Sequence, residues 1–122
     1  MGMPRPDEAA KEYFESIVPD EANVTVRPMF GNVAGFVNGN MFIGLYGNDV
    51  FVRLSETERS ELLSEAGAAV LEPMPGRPMK EYVTLPSEWR NAPGKVRAWV
   101  DRSLQWTAAM PEKKKKPRKR KK

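Results

Sequence analysis

Two turn signals nine positions apart, Asn38-Gly39 and Gly47-Asn48, constrain this 122-residue chain more than any other feature. Asn and Gly tolerate positive φ, so each pair favours the primed turns that join antiparallel strands without splaying them. With Asn38-Gly39 as the first loop, Val37 faces Asn40, Phe36 faces Met41 and Ala34 faces Ile43. With Gly47-Asn48 as the second, Tyr46 faces Asp49, Leu45 faces Val50, Ile43 faces Val52 and Met41 faces Leu54. Strand side chains alternate with period two. Ala34, Phe36, Met41, Ile43, Leu45, Val50, Val52 and Leu54 therefore share one face. All eight are apolar, and a one-residue slip would destroy the pattern. This is the expected core face.

The opposite face is expected to hold Val33, Gly35, Val37, Asn40, Phe42, Gly44, Tyr46, Asp49, Phe51 and Arg53. Gly35 is set against Phe42 and Gly44 against Phe51, so a ring is expected to lie across each glycine. Arg53, opposite Phe42, is placed to stack on that ring. A half-solvated antiparallel sheet normally reads polar on its outer side, and this one does not. Two readings follow. Either the chain's own helix or terminal segment covers the aromatics, or Phe42, Tyr46, Phe51 and Arg53 form a partner face, most simply a homodimer contact.

The flanks supply the remaining elements. Asp7 caps a helix running through Val18, with Ala10, Phe14 and Ile17 as its buried stripe and Pro19 as its stop. Val24-Thr25-Val26 is a short extended entry into the hairpins. Ser55-Glu56-Thr57-Glu58 is a capping box that opens a second helix with Leu62, Leu63 and Ala66, closed by Gly67. Ala69-Val70-Leu71 and Glu81-Tyr82-Val83-Thr84-Leu85 read as two strands joined by a Pro- and Gly-rich loop, Pro73 to Pro78. After Asn91-Ala92-Pro93 a third helix reaches about Met110, with Val96, Trp99, Val100, Ser103, Leu104 and Thr107 at helical spacing. The order is helix, three strands, helix, two strands, helix. It predicts an α+β two-layer sandwich, α-β3-α-β2-α, with a mostly antiparallel five-stranded sheet and its helices on one face. The Trp99 side chain belongs to the core stripe, which leaves Trp89 and Trp106 as surface aromatics.

Composition narrows the chemistry. The chain has no Cys and no His, which removes thiolate nucleophiles, disulfides, imidazole acid–base groups and the commonest zinc ligands. No catalytic constellation is recognisable, and no cofactor or metal is implied. Asp49 and Glu81 are better read as solvated strand-end charges than as a catalytic pair. Gly31 and Gly35 are turn and packing glycines, because no Gly-rich loop opens a helix with Lys-Ser or Lys-Thr. No apolar run approaches the ~20 residues of a membrane span, and no hydrophobic signal region follows Met1. The chain reads as a cytoplasmic, non-enzymatic protein with no membrane partner.

The charge is concentrated at one end. Lys113, Lys114, Lys115, Lys116, Arg118, Lys119, Arg120, Lys121 and Lys122 are nine of the 20 basic residues. Residues 1–111 then carry 11 basic against 15 acidic side chains, a net of −4, Glu112 being the sixteenth acid. The domain organisation expected is a folded unit over 1–111 and a disordered basic tail over 112–122. A solubilising extension and a nuclear import signal (in a eukaryote only) both fit such a tail, but a non-specific nucleic-acid anchor, nucleoid-associated in a bacterium, ranks first. Nine cations on duplex phosphates would give log K a salt slope near about −8, from about −0.9 per phosphate.

A family resemblance rests on scattered positions between residues 7 and 110. Met29-Phe30-Gly31, Gly35, Val37-Asn38-Gly39-Asn40-Met41-Phe42 and Val50-Phe51-Val52-Arg53 resemble the N-terminal domain of the TfoX/Sxy family. Met79, Tyr82, Leu85 and Pro86 resemble its second signature, and a terminal helix with Trp99 and Leu104 also fits. The resemblance implies the α-β3-α-β2-α fold shared with secretion chaperones, and a link to regulators of DNA-uptake competence. It brings no catalytic residues. Full-length competence regulators carry a second, C-terminal domain, which is not seen here, so the expectation is a stand-alone N-terminal domain. The functional expectation is a regulatory or adaptor domain that binds itself or a protein partner through its sheet while the tail contacts nucleic acid. The alternative is a small-molecule-binding or enzymatic domain using the aromatic sheet face.

Overall fold

Both turns form where the Asn and Gly residues put them. Asn38 and Gly39 have φ of 53° and 78°, positive at both positions as in a type I′ turn; at the second turn only Gly47 is positive, at 64°. The computed structural model describes residues 6–29, 32–74 and 76–111. Six strands, β1 (Val24–Met29), β2 (Asn32–Val37), β3 (Asn40–Tyr46), β4 (Asp49–Arg53), β5 (Ala69–Met74) and β6 (Arg77–Thr84), form one sheet in the order β1-β2-β3-β4-β6-β5. Every neighbouring pair is antiparallel. The sheet has six strands rather than the expected five, because Val24-Thr25-Val26 extends to Met29 and pairs with β2 along its whole length. Both edge strands contain a proline, Pro28 in β1 and Pro73 in β5. A proline offers no N–H to a further strand, so each edge resists continuation.

Three helices, α1 (Glu8–Ile17), α2 (Glu56–Leu63) and α3 (Pro93–Ala108), pack on one side of the sheet. Asp7 caps α1 by accepting from the Ala10 N–H at 2.8 Å, and the Ser55 hydroxyl caps α2 by accepting from the Glu58 N–H at 3.2 Å. The expected stripes of α1 and α3 are buried in full. Helix α2 is shorter than expected: only Leu62 is buried, and Leu63 and Ala66 lie exposed. A 3₁₀ turn over Ser87–Asn91, which the sequence pattern did not reveal, carries Trp89 into the core beneath Lys95, whose Nζ is 5.0 Å from the ring centroid. Trp89 is therefore not a surface aromatic. Trp106 is exposed as expected.

A β-bulge decides how the sheet divides its side chains. Tyr46↔Asp49, Leu45↔Val50 and Ile43↔Val52 pair as the second turn requires. Across the first turn, Val37↔Asn40 and Phe36↔Met41 also pair as expected, but the next pair is Gly35↔Ile43, followed by Ala34↔Gly44. Phe42 is thus an extra residue on β3. Two residues of a bulged strand oppose one on its partner, and here Phe42 and Ile43 both enter the helix-side core, fully buried. Every residue on the far side of the bulge changes face relative to the simple alternation. Val37 joins the helix-side core and Val33 packs against it, whereas Met41 joins a cluster on the opposite side. Phe36, paired with Met41, goes with it.

A buried serine completes the bulge. The register places Phe42 opposite Arg53, but their backbone groups are bridged by Ser103 of α3. Its hydroxyl donates to the Phe42 carbonyl at 2.7 Å and accepts from the Arg53 N–H at 3.2 Å. The helix thereby satisfies two strand groups that the irregular ladder does not pair.

Candidate partner-binding face

Strands β3, β4 and β6 build the site through their alternate residues. Phe51 lies on the side away from the helices, and a Cβ placed on Gly44 would fall 2.4 Å from its Cζ. The ring therefore occupies the volume a side chain at position 44 would need, as the pairing of the two residues predicted. No helix among the described residues covers this side. Phe51 is nonetheless only 6% exposed, because Leu71, Tyr82, Met41 and Tyr46 close around it. Tyr82 meets it edge to face, with centroids 5.6 Å apart and planes at 87°. The Tyr82 hydroxyl donates to the Met41 carbonyl at 3.3 Å. Burial raises the Tyr82 phenol above its ordinary value; Arg53 opposes that shift and Glu81 adds to it.

Two arginines border the patch. The Arg27 guanidinium lies 4.3 Å from the Phe36 ring centroid, and that of Arg53 lies 5.6 Å from the Tyr82 centroid. Arg53 also donates from Nε to the Glu81 carboxylate at 2.8 Å. The expected stack of Arg53 on Phe42 does not form, since the bulge takes Phe42 to the other side of the sheet. Of the four residues read as a partner face, Tyr46, Phe51 and Arg53 share this side. Phe42 does not, and Phe51 is a buried centre rather than a contact residue. Sequence reasoning missed Phe36, Met41, Leu71, Tyr82 and Arg27. Alternation along β6 would have found Tyr82, since Val83 and Leu85 are core residues and Tyr82 must point the other way.

The β2–β3 turn also holds the end of α3. Asn38 Nδ2 donates to the Ala108 carbonyl at 3.1 Å, and Asn40 Nδ2 donates to the Pro111 carbonyl at 3.1 Å. The first is a side-chain cap for a carbonyl that the helix end leaves unpaired, and the second ties down the segment just beyond the helix. Pro111, the last described residue, therefore lies beside the hairpin whose strands carry Phe36 and Met41. Lys113 to Lys122, the cations read as a nucleic-acid anchor, lie outside the described residues.

Among the described residues no three acidic side chains are grouped to hold a metal ion, and no helix is long and apolar enough to cross a membrane. Asp49 is exposed at the start of β4, and Glu81 is ion-paired with Arg53. Helices on one side of a six-stranded antiparallel sheet, with an aromatic patch on the other, define an α+β domain. The chain belongs to the TfoX N-terminal domain family, whose model matches residues 12–106. At family level this is a regulatory, adaptor-like domain. No curated protein matches the chain.

Proposed function

We propose that this chain is a non-enzymatic regulatory or adaptor domain that docks a protein partner, in the first instance a second copy of itself, through the helix-free side of its sheet. The observation that carries this reading is the patch of Phe36, Met41 and Tyr46 around the buried Phe51–Tyr82 pair, which no helix among the described residues covers. An aromatic and methionine surface bordered by arginine has the composition of an interface core. Arg53 and Glu81, ion-paired with each other, put both signs of charge on the rim. In this reading the nine cations after Glu112 hold the domain on nucleic acid, while the acidic body faces its partner.

Sedimentation of the full chain tests the docking face. Met41→Glu is the informative variant, because Met41 is half-buried on the patch whereas Phe51 is part of the fold's own packing. The expected result is a dimer for the wild type and a folded monomer for the variant, with only the wild-type melting temperature rising with protein concentration. A wild-type monomer that captures no partner, or an unchanged mass for Met41→Glu, would sink the docking reading. Exchange of Lys113–Lys116 for Gln should weaken retention on duplex DNA and flatten its salt slope by about 3.6, at about 0.9 per cation. Equal retention would exclude the tether.

A further inference from the structure

At the opposite end of the molecule from the Asn38 turn, a cleft of about 120 Å³ opens where α1, the β3–β4 turn, the end of β6, the 3₁₀ turn and α3 meet. Its floor is apolar: Val50, Leu85 and Val96 line it and each is at most 5% exposed. Tyr13, Ser87 and Arg90 also line it. Arg90 is held in place there, donating from Nη2 to the Asn48 carbonyl at 3.1 Å and standing 5.2 Å from the Tyr13 ring centroid. It has no carboxylate partner among the described residues, unlike Arg53 and Arg102. Arg97, which donates to the Ser16 carbonyl, also acts on the Tyr13 phenol.

The nearby acids are turned to other work. The Asp7 carboxylate caps α1. Asp49 contributes to the lining, but strand alternation sends its side chain to the same side as Phe51, away from the cleft. An unpaired guanidinium fixed above a small apolar floor is complementary to one kind of ligand. We propose that this cleft binds the carboxylate of a small apolar acid, with the carboxylate on Arg90, the Tyr13 and Ser87 hydroxyls beside it and the hydrocarbon against Val50, Leu85 and Val96. The volume is near the ~150 Å³ that accommodates a benzene-sized molecule, which limits the hydrocarbon to about four or five carbons. A free branched-chain acid and the C-terminal residue of a peptide share this chemistry.

The site is on the other side of the molecule from the sheet patch, so it stands or falls apart from the docking reading. The test is a titration of the full chain, isotopically labelled, followed through the methyl resonances of Val50, Leu85 and Val96. The probes are 3-methylbutanoate, its neutral amide, and acetyl-Gly-Leu with a free or an amidated C-terminus. Saturable shifts with the acids and none with the amides are expected, and the tighter of the two acids identifies the source. Arg90→Gln should weaken acid binding about ten- to a hundredfold, the range for losing a charge-assisted hydrogen bond. No shifts with either acid, equal shifts with acid and amide, or unchanged affinity in a folded Arg90→Gln protein would each overturn the assignment. The acid–amide comparison needs no variant, so it decides the matter even if Arg90→Gln fails to fold.

Discussion

Replacing Ser103 by Ala removes one oxygen and strands two backbone groups. Ser103 is fully buried, and its hydroxyl is the link between the Phe42 carbonyl and the Arg53 N–H. A buried polar group left without a partner costs about 1–3 kcal/mol. The Phe42 carbonyl is charged near the top of that range because its surroundings are apolar. The Arg53 amide is only partly buried and is charged near the bottom. The sum expected is about 3–4 kcal/mol, a large part of the ~5–15 kcal/mol by which a domain is stable. Strands β3 and β4 cannot simply close to form a direct bond, since Phe42 is held in the core between them and α3. Urea denaturation of the full chain gives the magnitude, with an unchanged m-value showing that the folded state is the same. Hydrogen exchange gives the location, because the Arg53 amide should lose protection before its β4 neighbours. A loss below about 1 kcal/mol, with Arg53 still protected, would refute the role given to Ser103 in holding the bulge.

Three further outcomes are expected. Gly44→Ala should cost about 1–3 kcal/mol by displacing the Phe51 ring, and the penalty should shrink when Phe51 is also cut to Leu; additive losses in that double-mutant cycle would mean the ring and the glycine do not compete for space. Thr107 is fully buried, and its hydroxyl has no hydrogen-bond partner among the described residues. Thr107→Val should therefore raise stability by about 0.5–1.5 kcal/mol, and a lower urea midpoint would contradict it. Burial raises the phenols of Tyr82 and Tyr13 above the value of 10.0 they have when unfolded. The folded state then holds its protons more tightly, so the stability is fully present below about pH 10 and is lost as pH rises through the folded values. Denaturation midpoints between pH 8 and 11 should fall along the alkaline limb, and the double variant Tyr13→Phe, Tyr82→Phe should flatten that limb; an equal fall in both proteins would assign it elsewhere.

Local chemistry made much of this fold legible. The turn positions follow from Asn-Gly and Gly-Asn, the helix starts from Asp7 and Ser55, and the α3 core stripe from spacing that includes Ser103 and Thr107. What escaped was non-local. The 3₁₀ turn that buries Trp89 has no periodicity to read, and β1 became a full strand only because β2 offered it an edge. For the candidate face, Tyr46, Phe51 and Arg53 were legible because they flank the second turn, where the register is regular. Phe42 was misplaced because it is the bulge's extra residue. The cleft beside Arg90 could not be read at all, since its lining comes from five separate stretches of chain.

The amino-acid sequence by itself determined where the two hairpins turn, which side of β4 meets the helices, and that neither thiol nor imidazole chemistry is available. The tertiary structure decided which side of the sheet Phe42, Val37, Phe36 and Met41 occupy. The physical reason is the bulge at Phe42, whose carbonyl is held by a hydroxyl 61 residues along the chain. Ser103 takes the backbone groups that a regular β3–β4 ladder would have paired, Phe42 becomes an extra residue, and the alternation inverts beyond it. No local pattern around Asn38-Gly39 contains that information, because the partner that stabilises the bulge arrives with α3.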